Sequence, residues 1–142
     1  MRFILFALLV SGVAATCNKK KKITFNQFHH GQYVRNLGNG IHVSASSHTG
    51  YTAEGPRIFD TYKSHTRDWD LEAHVGDVLI IQERRYYSPD DNEYGGKMTF
   101  TFDKPTTILS MTFLDTQNAV KIDAGSKWLY GPRTWNRGVS TA

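Results

Sequence analysis

An all-β fold, built as a single antiparallel β-sandwich, is expected from three features of the sequence. Apolar residues alternate with polar ones at Ile41, Val43 and Ala45, at Met98, Phe100 and Phe102, and at Leu109, Met111 and Phe113. Period two is the mark of a strand with one face on a core and the other in water. Val78, Leu79, Ile80 and Ile81 form a continuous apolar run opened by the turn pair Gly76 and Asp77, as suits a central strand buried on both faces. No window carries apolar residues at helical spacing for three turns, while Gly and Pro recur at intervals that fit short strands.

The chain has 142 residues, which argues for one domain. It opens with Met1 and Arg2, then runs apolar from residue 3 to residue 10, short of the roughly 20 residues of a membrane-spanning helix. Val13, Ala14 and Ala15 suit a signal peptidase, so residues 1–15 are expected to be a signal peptide, removed after Ala15 and excluded from the fold. The mature protein is then secreted, with no transmembrane segment left in it. Cys17 is the one cysteine. No intramolecular disulfide can form, so the domain must rest on its apolar core, with a bound ion as the available aid. Cys17 itself has three readings: a free thiol, an intermolecular disulfide, or a lipid anchor if the chain is bacterial and cut before it.

Residues 16–22 form a basic, flexible tail containing Lys19, Lys20, Lys21 and Lys22, and a solvated linker is the plain account of it. Contact with anionic polymers or lipid head groups, at about 1 kcal/mol per lysine, is the sharper one. The net charge of +4 is of the size of this lysine run, so the rest of the chain is nearly neutral. Elsewhere no basic stripe is interleaved with aromatics, and nucleic acid is not an expected partner.

The sandwich domain is expected over residues 23–142. Ile23, Thr24, Phe25 and Phe28 suggest a first strand closed by His29, His30 and Gly31, and Gly38, Asn39 and Gly40 mark a turn before the strand at 41–45. Residues 46–56 are small and polar, a loop leading to Ile58 and Phe59. Residues 97–102 alternate, residues 103–106 turn, 109–113 alternate again, and Val120 with Ile122 make a short later strand. From 124 to 142 the chain is an atypical tail in which no final strand is recognisable, which would leave a sheet edge unpaired.

The order of these motifs resembles a family of secreted jelly-roll-type β-sandwich domains found in extracellular proteins of bacteria, algae and other simple eukaryotes. The residues that carry the likeness are Gly40-Ile41-His42-Val43-Ser44-Ala45, Pro56-Arg57-Ile58-Phe59-Asp60-Thr61 and Asp68-Trp69-Asp70-Leu71. They continue with Gly76-Asp77-Val78-Leu79-Ile80-Ile81-Gln82-Glu83 and with Gly95-Gly96 leading to Phe100, Phe102 and Pro105. The likeness covers the stretch from Phe25 to about Asp115. It departs at Trp69, where a smaller residue is expected between the acids, and beyond Asp115. It implies a calcium-stabilised or carbohydrate-binding-like module, accessory in role and not an enzyme, with Asp60, Asp68, Asp70 and the Asp90-Asp91 loop making polar contacts at a sheet end.

Read from the residues themselves, the acids have two accounts. Asp60, Asp68, Asp70, Asp90 and Asp91 sit in two loops flanking the central strand, and brought to one sheet end they could supply part of the six to eight oxygens that Ca²⁺ requires. As independent turn residues they would instead bond the backbone or pair with Arg57, Arg67, Arg84 and Arg85. Glu83 beside Arg84 and Arg85 is a surface ion pair. The six histidines show no zinc-type spacing with cysteine, and no serine lies in a nucleophile elbow. Trp69, Tyr86 and Tyr87 fall in polar loops, where flat rings with a polar edge suit a recognition surface, and core packing is the commoner fate of a tryptophan. Two functions are therefore carried forward. One is a secreted, non-enzymatic module that recognises extracellular glycans with the help of calcium; the other is a structural extracellular protein that self-associates through an exposed sheet edge or Cys17.

Overall fold

The computed structural model describes residues 4–12, 20–62, 71–85, 87–115, 120–123, 128–131 and 139–141. Its strands are β1 (Ile4–Gly12), β2 (Lys21–Ile23), β3 (Asn36–Gly38), β4 (Ile41–Ser46), β5 (Arg57–Asp60) and β6 (Asp77–Ile80), then β7 (Lys97–Phe102), β8 (Thr106–Leu114), β9 (Val120–Asp123), β10 (Trp128–Gly131) and β11 (Val139–Thr141). One sheet runs β11-β8-β1-β6-β5, with β2 also bonded to β1; a second runs β3-β4-β7, and β9 and β10 form a two-stranded sheet. All pairings are antiparallel. The fold is all-β, as expected, and its antiparallel sheets are consistent with a β-sandwich. Among the described residues no helix is long and apolar enough to cross a membrane.

The central run behaves as a strand buried on both faces because successive side chains of β6 enter different cores. Leu79 joins Ile58, Leu37, Ile41, Val43, Met111 and Phe113, residues drawn from both larger sheets. Val78 and Ile80 join Phe59, Leu71 and Leu114 in a second cluster. Val78, Leu79 and Ile80 are each fully buried, and burying such a side chain stabilises the fold by about 1.5–3 kcal/mol. The turn between β3 and β4 is built on three consecutive left-handed residues, Gly38, Asn39 and Gly40, with φ of 79°, 55° and 72°. Glycine and asparagine tolerate that region at least cost.

Along β7 the alternation is as expected: Met98, Phe100 and Phe102 pack on the core while Lys97, Thr99 and Thr101 are exposed. Along β8 it is not. Leu109 is exposed (43%), whereas Ile108, Met111 and Phe113 pack inward. The register explains the difference, because Leu9 of β1 faces Ser110 and the next residue, Val10, faces Ile108, so Leu109 is the extra residue of a β-bulge. One added residue turns the alternation over at that point.

The chain start and end also differ from expectation. The strand expected at Ile23 to Phe28 lies instead at Lys21–Ile23, ahead of Phe25, where a turn closed by Phe28 N–H on the Phe25 carbonyl (3.0 Å) buries the Phe25 ring. Lys21 and Lys22, assigned to the flexible tail, are therefore strand residues. The region from 124 onward, in which no strand was legible, contributes β10 and β11, and β11 pairs with β8. Ile4–Gly12, part of the expected signal peptide, is the strand between β8 and β6. Ala15, Cys17 and Lys19 lie outside the described residues.

Candidate functional site

The strand β6 has two ends, and the residues that could carry function divide between them. Beyond its far end the chain is locked by two buried amides. Gln82, fully buried, donates through Nε2 to the carbonyls of Arg84 (2.9 Å) and Ser88 (3.1 Å) and accepts from Asp90 N–H (3.2 Å). With Glu83 N–H bonding the Asp90 carbonyl (3.0 Å), this closes the loop 83–90 on itself. Asn92, 1% exposed, donates to Ser47 Oγ (2.8 Å), Thr49 Oγ1 (3.0 Å) and the Gly95 carbonyl (2.7 Å), so it ties the loop 47–50 to the loop 92–95. Gly50 is required at this junction: a Cβ there would stand 2.8 Å from both the Gln82 carbonyl and Asn92 Nδ2. Buried amides with their hydrogen bonds made are rigid supports, since breaking any one bond strands a polar group.

On this support lies a layered surface of tyrosines and arginines. Tyr33 and Tyr51 meet edge to face at 5.7 Å and 73°. The Arg57 guanidinium lies 5.0 Å over the Tyr33 ring, that of Arg85 lies 5.3 Å over Tyr51, and that of Arg84 lies 5.5 Å over Tyr87. Each stack is electrostatically favourable, because a ring face is the negative end of its quadrupole. Backbone bridges set the rings in place: Tyr33 faces Arg57, and Tyr51 faces Gln82. Arg57 is fixed further by donating to the carbonyls of Gly31 (2.7 Å) and Tyr87 (2.6 Å). Glu54 accepts from the Tyr51 hydroxyl (2.9 Å) and pairs with Arg85 (3.3 Å). Burial pushes the Tyr33 hydroxyl above its ordinary value, against Arg57, with Glu54 adding and Arg85 opposing. Desolvation and the Glu54 bond likewise raise Tyr51. Both phenols therefore present an O–H at neutral pH. Tyr87 is 53% exposed.

The expected site residues are placed as follows. Tyr87 belongs to this surface. Tyr86, Asp68, Trp69 and Asp70 lie outside the described residues. Asp91 is buried (4% exposed) and faces Gln82, with Asp90 beside it in the same loop. Asp60 is elsewhere. It is the cross-strand partner of Asp77 at the start of β6, where its backbone N–H bonds His30 Nδ1 (3.0 Å) and its Oδ1 accepts from Tyr62 N–H (2.9 Å). Residues 77 and 82 are separated by roughly 16 Å at about 3.3 Å per strand residue. The convergence of both acid-bearing loops at one sheet end is therefore not what the described residues form: Asp60 stands apart from Asp90 and Asp91. The reason is that the two loops leave opposite ends of one strand. Among the described residues no group of three or more His, Cys, Asp or Glu is placed to hold a metal ion.

Tyr33, Tyr51 and Glu54 were not among the expected site residues, and the arginines were expected only as partners for acids. Their one local signal is the Arg84-Arg85-Tyr86-Tyr87 run; Tyr33 and Tyr51 reach it from sequence-distant loops. Compared with protein-family models, curated proteins and solved structures, the chain matches none.

Proposed function

We propose that this chain is a secreted, non-enzymatic binding module whose ligand is an extracellular glycan, held on the surface of Tyr33, Tyr51, Tyr87, Arg57, Arg84 and Arg85. The observation that carries the reading is the stacking of three guanidinium groups on three tyrosine rings, locked from beneath by Gln82. A prearranged platform loses little side-chain entropy on binding. Sugar rings present flat C–H faces to aromatic rings and hydroxyls to guanidinium and phenol donors, and the positive charge of the arginines favours sugars that bear carboxylate or sulfate. Calcium, in this reading, assists from the sheet end that carries Asp60 and needs ligands beyond Asp60 and its cross-strand partner Asp77 to reach the six to eight oxygens it requires.

The test is a glycan array probed with and without calcium, followed by Tyr87→Ala. Ring and guanidinium are exposed there, so the substitution should leave the melting temperature within about 2 °C, as expected for a surface change below 0.5 kcal/mol. Affinity for the best glycan should fall about tenfold, the equivalent of about 1.4 kcal/mol. Unchanged affinity in Tyr87→Ala and in Arg84→Ala would remove the platform from the binding reaction.

A further inference from the structure

The slot held by β1 sits at the centre of the largest sheet. On one side β1 pairs with β8 along most of its length, from Leu5 opposite Phe113 to Gly12 opposite Thr106. On the other it pairs with β6 through Ile4 and Leu5 and with β2 through Leu8, Leu9 and Val10. The segment that fills this slot is also the apolar run whose composition and small-residue boundary mark it for removal. Those two fates exclude each other. Removing β1 parts β8 and β11 from β6 and β5, and leaves facing rows of backbone N–H and C=O groups that must find partners.

We propose that, in the exported protein, this slot is a strand-acceptor site that takes an extended, apolar segment of about nine residues from another polypeptide, antiparallel to both β8 and β6. The proposal rests on the secretory reading above. The chemistry of the occupant follows from what already fits. The seated strand is uncharged over Ile4–Gly12, its neighbours Leu79 and Phe113 are core residues, and its backbone bonds are made on both sides. Other parts of the chain suit the slot poorly, because residues 16–22 are dominated by lysine and β10 and β11 are paired with β9 and β8 and only four and three residues long. Strand addition of this kind draws affinity from main-chain hydrogen bonds and selectivity from alternate side chains.

The experiment uses protein purified from a secreting host and a synthetic peptide of residues 3–12 carrying added C-terminal lysines for solubility. Intact mass first establishes cleavage after Ala15. The peptide should then raise the melting temperature in a concentration-dependent way and protect the amides of residues 106–114 from hydrogen exchange, while the same peptide with Leu8→Pro should do neither. If the processed chain alone does not hold its fold, refolding with the peptide should restore a β-type circular dichroism spectrum, and failure to do so overturns the proposal. No response to the peptide overturns it, as does prior protection of residues 106–114 in a monomer, which would mean the chain fills its own slot. Protection found only in a dimer overturns it in favour of a second copy. An uncut chain overturns it together with the signal-peptide reading, while the glycan array still decides the platform on its own.

Discussion

Tyr33 shows how a single side chain joins stability to the proposed binding face. Its ring takes the Arg57 guanidinium and the edge of Tyr51, and its hydroxyl donates to the Arg85 carbonyl (3.3 Å), which steadies the loop that carries Tyr87. Tyr33→Phe keeps the ring contacts and removes that one bond, so its cost at neutral pH should be no more than about 1 kcal/mol. The pH dependence has a definite sign. The phenol pKa is raised in the folded state, chiefly by burial, so the folded protein holds the proton more tightly than the unfolded chain. That contribution is fully present below the unfolded value of 10.0 and is lost as pH rises through the higher folded value. Denaturant unfolding from neutral pH upward should show stability falling above about pH 10, and the fall should be shallower in Tyr33→Phe. Parallel curves for the two proteins would contradict the assigned environment.

At the scale of elements, the bulge in β8 decides which of its apolar residues matter. Ile108 and Met111 lie on the core side and Leu109 on the other, whereas a regular strand would have put Leu109 and Met111 on the same face. Leu109→Lys should therefore change stability by less than about 0.5 kcal/mol, the range of ordinary surface substitutions. Met111→Ala should cost about 2–5 kcal/mol through lost burial and a residual cavity. Urea midpoints of the two variants check this directly, and comparable losses in both would mean that β8 runs without its bulge. The same bulge explains why alternation across 109–113 was a sound guide to a strand and a poor guide to its inner face.

For the whole molecule, the length of β6 separates two groups of acids that sequence alone had joined. Asp60 at its start and Asp91 beyond its end are farther apart than the roughly 7–10 Å within which substitutions couple. The stability changes of Asp60→Asn and Asp91→Asn should add to within about 0.5 kcal/mol in the double variant. Equilibrium unfolding of the four proteins, each with chelator and with excess calcium, measures this, and a coupling above about 1 kcal/mol in calcium would show one ion bridging both loops. Asp60 and Asp77 are the pair that should respond together, because they are opposite each other on adjacent strands, where like charges repel.

The fold class, the burial of β6 on both faces, the alternation of β4 and β7 and the Gly-Asn-Gly turn are legible in the residues alone. Each leaves a trace within a short stretch of chain: a side-chain period of two, an unbroken apolar run or a left-handed φ. Tertiary structure alone decided what depends on pairing partners. The bulge at Leu109 is visible only against β1. The separation of Asp60 from Asp91 depends on which end of β6 each loop leaves, and the amide locks of Gln82 and Asn92 depend on carbonyls and hydroxyls supplied from across loops. The platform likewise gathers Tyr33, Tyr51, Arg57 and Arg85 from loops and a strand distant in sequence. A tyrosine beside a glycine or an arginine leaves no periodic signal, and only the antiparallel return of the chain, which sets Tyr33 opposite Arg57 and Tyr51 opposite Gln82, brings their rings and charges within reach of one another.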